Sequence, residues 1–143
     1  MKTKEELIQL LKTSVVKFNS VRHEPEYEII DLILANLSGA NLRKANLRKA
    51  DLSGADLSRA DLRGADLRWA HLSGANLSLA DLCGADLRWA HLSGANLSLA
   101  DLCGADLCGA DLCGADLHKA TINKSQIKNI IDSLNMKIEE IWS

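Results

Sequence analysis

The residues with chemistry to offer are four cysteines (Cys83, Cys103, Cys108, Cys113), four histidines (His23, His71, His91, His118) and an Arg-Trp pair that occurs twice, Arg68-Trp69 and Arg88-Trp89. Cysteine with histidine suggests zinc, which needs four converging ligands. The spacing argues against it: no CxxC occurs, and the last three cysteines lie five apart. Serines recur, but as neighbours of glycine in turn-like steps such as LSGA, and no Ser, His and Asp share a local constellation. Neither a catalytic site nor a cofactor or metal is expected. What remains is surface chemistry, because Trp and Arg are the side chains enriched at interface hot spots.

The element that carries these residues is a repeat. From Ala35 to Ala120 the chain runs in fives: Ala, Asp or Asn (His at 71 and 91), Leu, then two variable residues. Leu recurs without a gap from Leu37 to Leu117, seventeen repeats, and such periodicity outranks local propensity. A helix does not fit. Five residues advance about 140° around a helix, so the leucines would scatter over its surface. Ala and Leu are two apart, the spacing at which strand side chains point the same way. Each repeat then offers two inward side chains followed by a turn.

A copied block sets how many repeats close one coil. Residues 66–85 read DLRWAHLSGANLSLADLCGA and return unchanged as 86–105, while residues 51–70 match 71–90 at sixteen of twenty positions. Inserting one whole coil leaves every neighbour in register, whereas inserting five or ten residues rotates every face. Four repeats per coil and a square section follow, with coils stacked about 4.8 Å apart. On that square, Cys103, Cys108 and Cys113 lie on successive sides and diverge. Cys83 stacks with Cys103 in parallel, a poor geometry for a disulfide, so exposed free thiols and a reducing cytoplasm are expected.

The AN/DLxx tandems, as in ANLRKANLRKADLSGADLSRADLRGADL, resemble the pentapeptide-repeat family. The resemblance implies an all-β solenoid, a right-handed quadrilateral β-helix with four pentapeptides per coil and about four to five coils. A weaker resemblance, to short cyanobacterial members with helical ends, goes with it.

A solenoid exposes unpaired backbone at both ends and needs covering there. Thr3-Lys4-Glu5-Glu6 reads as a capping box, and Leu7, Leu10, Leu11, Val15 and Phe18 follow at helical spacing, predicting one amphipathic helix over 4–18. Residues 19–26 read as a loop broken by Pro25, and Tyr27 to Leu34 as the start of the first coil. Ser125 is placed to cap a second helix carrying Ile127, Ile130, Ile131 and Leu134, with Asn135 as its stop and a short turn around Ile138, Ile141 and Trp142. The expected division is 1–26 as N-terminal cap, 27–124 as β-helix and 125–143 as C-terminal cap.

With a period of twenty, outward residues form columns. Arg48, Arg68, Arg88 and Cys108 make one; Lys49, Trp69, Trp89 and Gly109 the next; Asp51, His71, His91 and Asp111 a third; Arg59, Leu79, Leu99 and Lys119 line the opposite turn. Glycine dominates the other two turns, where type II geometry is expected, with other turn types at Trp, Leu or Arg. Arg68, Trp69, His71, Arg88, Trp89 and His91 are the candidate interaction patch. Residues 35–70 carry seven bases and four acids, residues 71–120 six acids and two bases, a gradient along the rod.

The expected function is a non-enzymatic interaction module with a protein partner. The net charge of −2 and the lack of an apolar run long enough for a membrane span offer nothing to nucleic acid or membrane. An end cap or the Trp face offers a route to a homodimer. A structural role without a fixed partner is one alternative. The other is implied only by the family resemblance: a DNA mimic acting on a topoisomerase such as gyrase. That role calls for a long acidic rod, and here Arg and Lys cover the first half.

Overall fold

The structure is a computed structural model that describes residues 2–23 and 29–133. Three helices flank or end the repeats: α1 (Lys4–Thr13), α2 (Val15–Val21) and α3 (Lys124–Ser133). Between α2 and α3 the chain winds in square coils. Parallel bridges join residues twenty apart at every fifth position, from Asp31 with Asp51 to Asp101 with Thr121. The coil is therefore four repeats long. Each bridge is isolated because only two or three residues are extended before the next turn, so the β structure lies in the stacking of coils rather than in long strands.

The ladder repeats without variation. The Leu72 N–H donates to the His91 carbonyl at 2.7 Å, and the His91 N–H returns to the Ala70 carbonyl at 2.9 Å. Inside, from Leu37 to Leu112, every repeat Leu is fully buried. The paired alanines from Ala45 to Ala110, close to fully buried, fit where the turns pinch the section. Burying each Leu contributes about 1.5–3 kcal/mol, which sustains a rod whose repeats hold no aromatic inside.

The turns differ from expectation. The third turn residue has positive φ on every side, and not only where it is glycine: Lys49, Arg59, Trp69, Leu79, Trp89 and Leu99 all lie at 58–60°. One turn geometry serves all faces. The stacking ladder imposes it, since the Trp69 N–H must reach the Arg88 carbonyl (3.1 Å) while Ala70 closes the turn onto Leu67 (3.0 Å). For a side-chain-bearing residue this conformation costs about 1–2 kcal/mol.

The N-terminal helix is also not one piece. Thr3 and Glu6 make the expected capping box, but Ser14 is extended (φ −158°, ψ 93°) and splits 4–18 into α1 and α2, its hydroxyl capping α2 at Lys17. The run Thr13-Ser14-Val15-Val16 is rich in β-branched residues, which favour such a break. The break lets Leu7, Leu11 and Phe18 all reach the core. The loop expected from residue 19 starts later, since α2 continues to Val21; Pro25 and Tyr27 lie outside the described residues.

Both helical segments bond to the ends of the coil stack. At the first coil, Asn19 donates to the Lys44 carbonyl (2.9 Å) and accepts from the Asn46 N–H (2.7 Å). Arg22 donates to the carbonyls of Asn46 (3.0 Å) and Arg48, and Lys4 to that of Ile33. At the last coil, Gln126 is the one buried polar residue among those described, and its amide donates to the carbonyls of Leu102 and Ala105. The α3 start departs from expectation too. Asn123, not Ser125, holds it: Gln126 N–H donates to the Asn123 side chain (3.3 Å) and Asn123 N–H to that of Gln126 (2.7 Å). Ser125 only donates its hydroxyl to Asn123. Ile130 and Ile131 are buried and Ile127 exposed; Leu134, Asn135, Ile138, Ile141 and Trp142 lie outside the described residues.

Candidate functional site

Side chains at the left-handed turn position lean toward the following coil. Leu34 reaches over Gly54, and the Trp89 ring lies over Gly109. This lean builds the centre of the candidate patch. Trp69 and Trp89 stack with ring centroids 5.5 Å apart and planes 15° from parallel, and both stay about half exposed (45% and 48%). An offset stacked pair contributes about 0.5–1.5 kcal/mol beyond its burial, so it offsets part of the backbone strain at the two turns.

Before the corner, Arg68 and Arg88 turn onto carboxylates. Arg68 grips Asp66 through two hydrogen bonds (2.8 and 2.6 Å) and approaches Asp86 of the next coil at 3.5 Å; Arg88 repeats this with Asp86 (2.9 and 2.6 Å) and Asp106 (3.6 Å). Arg63 does the same on the neighbouring side with Asp61 and Asp81. The Arg88 hydrogen bonds hold the Asp86 carboxyl below its usual range, against burial. At Asp66 burial pushes up, but the Arg68 bonds and charge prevail and the net shift is downward. The guanidinium charge is largely neutralised within the face.

Past the corner, His71 and His91 stack with centroids 4.8 Å apart, tilted by 34°. The six residues therefore divide over the two sides of one corner. Trp69, His71 and His91 line a concavity of about 460 Å³ together with Ile29, Lys49 and Asp51. Arg68 lies on the other side of the corner, in a concavity of about 380 Å³ with Arg22, His23, Arg48, Lys49 and Asp66. Lys49 lines both. Sequence reasoning missed Ile29, 71% exposed beside the Trp column, and Arg22, brought there by α2. Ile29 carried a signal, since it stands twenty residues before Lys49; Arg22 carried none.

The cysteines differ from each other more than expected. Cys103, Cys108 and Cys113 are exposed, but Cys83 is half-buried. Its thiol lies with carboxylate oxygens of Asp81 and Asp101, all within 4.8 Å of one another. Burial first, then hydrogen bonds to these two aspartates, push the Cys83 thiol up to about 12, which keeps it protonated and a poor nucleophile. The spacing 81, 83, 101 was visible in the sequence, but the pairing of interest there was Cys83 with Cys103.

Stacked square coils with a Leu/Ala interior and outward side-chain ladders define a pentapeptide-type β-solenoid. The family model "Pentapeptide repeats" matches in eight copies over residues 30–68, 60–98 and 95–131, and the chain belongs to that family, whose known fold is a right-handed quadrilateral β-helix. It is similar to alr5209, a pentapeptide repeat protein from Nostoc Pcc 7120 (39% identity, 81% of this chain and 89% of that one, TM-score 0.63). It is also similar to the pentapeptide repeat protein Rfr23 from the cyanobacterium Cyanothece 51142 (35% identity, 66% of this chain, TM-score 0.55), of which it spans 60% of the length. A more distant likeness is to QnrB1, a plasmid-mediated fluoroquinolone resistance protein (19% identity, 76% of this chain and 84% of that one, TM-score 0.27). Comparison with curated proteins gives no match.

Proposed function

We propose that this protein is a non-enzymatic interaction module, and that the corner formed by Arg68, Trp69, His71, Arg88, Trp89 and His91 is its contact surface. The observation that carries this reading is the Trp69–Trp89 stack, two large rings half exposed on left-handed backbone at a position where glycine serves other turns. Aromatic rings held rigid on a solenoid lose little entropy on docking. Pentapeptide-repeat proteins are generally structural or interaction modules, which agrees with this reading.

In this proposal residues 1–26 and 125–143 are end caps on a rod of residues 27–124. The bonds of Asn19, Arg22 and Gln126 to coil-end backbone support the division, with α3 beginning one residue early. Among the described residues no helix is long and apolar enough to cross a membrane. We place the protein in the cytoplasm on its cysteine pattern. The DNA-mimic alternative calls for an acidic rod, and here Arg63, Arg68 and Arg88 neutralise the aspartates around them.

The test is capture of partners from host-cell lysate by the wild type and by a Trp69→Ala/Trp89→Ala variant that circular dichroism shows to be folded. A partner held by the first and lost by the second supports the reading. Equal capture by both, or none, removes it.

A further inference from the structure

Five of the parallel bridges set one aspartate directly on another: Asp31–Asp51, Asp61–Asp81, Asp66–Asp86, Asp81–Asp101 and Asp86–Asp106. Stacked carboxylates repel, and the rod answers with cations. Arg63 lies between Asp61 (2.5 Å) and Asp81 (3.3 Å), Arg68 between Asp66 and Asp86, and Arg88 between Asp86 and Asp106. At Asp31–Asp51 the cation comes from α1, with Lys4 3.2 Å from Asp31. The Asp81–Asp101 pair breaks this rule. Its intervening residue stands twenty after Arg63 but is Cys83. Arg63 reaches only Asp81, from the coil before. Among the described residues Asp101 has no ion pair; it accepts from the Cys103 N–H (2.9 Å) and the Cys83 thiol.

The thiol in that gap completes a ligand set. The Cys83 sulfur and an oxygen each of Asp81 and Asp101 lie within 4.8 Å of one another. Ligand atoms on one zinc ion lie about 3–4 Å apart, so small side-chain rotations bring the three onto a common centre. No histidine or CxxC is needed, because the repeat itself supplies the carboxylates. The other cysteines lack this arrangement. Cys103 has Asp101 on one side but Thr121 on the other, and twenty residues past Asp106 and Asp111 the chain is in α3. Calcium and magnesium take oxygen ligands, whereas sulfur with two carboxylates suits a borderline-soft ion.

We propose that Asp81, Cys83 and Asp101 form a surface site for a zinc-class divalent ion, which takes the place a guanidinium holds elsewhere on the ladder and ties two coils together. The ion bonds to the Cys83 sulfur and displaces its proton to solvent. Each carboxylate gives one oxygen, and water fills the fourth position of the tetrahedron. The thiol is held protonated in the free protein, so displacing that proton makes the site weaker than a closed four-cysteine one.

Equilibrium dialysis of the full chain against ZnCl2, thiols kept reduced, is the test, with thermal unfolding measured alongside. The decisive variant is Cys103→Ala/Cys108→Ala/Cys113→Ala, which removes the exposed thiols and leaves Cys83. It is expected to bind one zinc ion per chain and to unfold at higher temperature in zinc, as a ligand of the folded state requires. CaCl2 and MgCl2 at equal concentration should do neither. In that background Cys83→Ala should weaken zinc binding by about a hundredfold or more and Asp101→Asn by about tenfold. Cys83→Arg should fold, since Arg63 fills the same place one coil earlier, and should unfold at the same temperature with and without zinc. Zinc binding that disappears with the three exposed thiols shows an adventitious ion only and overturns the proposal. So does zinc held equally after Cys83→Ala, calcium bound as tightly as zinc, or no binding at up to about 0.1 mM zinc.

Discussion

Trp89 lies directly over Gly109: a β-carbon placed on that glycine would come within 2.3 Å of Cε3 of the indole. Gly109 also sits at φ 70°, so two constraints meet at one residue. Gly109→Ala is expected to destabilise by about 2–4 kcal/mol, combining left-handed strain with overpacking against the ring. Gly74→Ala, whose added carbon meets nothing within 4 Å, carries only the strain, about 1–2 kcal/mol. Urea midpoints of the two variants, compared with wild type, check the difference.

Gln126→Ala leaves the Leu102 and Ala105 carbonyls without their side-chain donor and should loosen the last coil by about 1–3 kcal/mol. Gln126→Glu should be worse, because it sets a carboxylate against two carbonyls. Hydrogen exchange is the readout: amides of residues 102–120 should lose protection while those of residues 50–80 keep it.

Leu72 and Leu79 are the same residue type seven positions apart, one fully buried and the other 47% exposed. Leu72→Ala is expected to cost about 2–5 kcal/mol as a core cavity, whereas Leu79→Ala should stay within about 0.5 kcal/mol. Equal effects in thermal or chemical unfolding would contradict the inward and outward assignment.

Thiol labelling with a disulfide reagent at mildly alkaline pH should modify Cys103, Cys108 and Cys113 quickly and Cys83 slowly, with all four equivalent in denaturant. Since folding raises the Cys83 value to about 12, its contribution to stability is full below the unfolded thiol value near 8.5. It is lost as pH rises from there toward 12. Cys83→Ala should flatten that alkaline slope.

At the acid end the sign reverses. Asp56, Asp61 and Asp86 are held below the usual carboxylate value, each chiefly by side-chain hydrogen bonds, from Ser58, Arg63 and Arg88 respectively. Their stabilisation is present above the unfolded value near 3.9 and falls away as pH drops through the lowered ones. Unfolding midpoints should therefore decline below about pH 4. Arg63→Gln/Arg88→Gln should lessen that decline, modestly because these groups are solvent-screened.

The repeat was legible because its grammar is local. Ala and Leu two apart must share a side, and a twenty-residue duplication preserves every face only if twenty residues make one coil. The stacking of Trp69 on Trp89 and of His71 on His91 followed from that register alone. The family, the buried Leu ladder and the capping box at Thr3 were read the same way, from spacing that needs no knowledge of neighbours.

The rest depended on what lies one coil away. Local preference assigns left-handed backbone to glycine, yet Trp69, Leu79 and Lys49 adopt it because hydrogen bonds from adjacent coils admit no other turn. The Arg and Trp residues adjacent in sequence part at a corner, Arg68 drawn back to Asp66 and Trp69 laid toward Trp89. Ser14 breaks a helix so that Phe18 can reach the core, and Gln126 is buried because two coil-end carbonyls need donors. Sequence by itself determined the period, through the copied block, and which side chains face inward, through alternation along a single chain. Tertiary structure decided the backbone of the turns and the fastening of the ends, because each is set by contacts between residues twenty or more apart, where stacking energy outweighs local preference; the charges divide, each Arg taking its closest carboxylate two residues back and a second one a coil away.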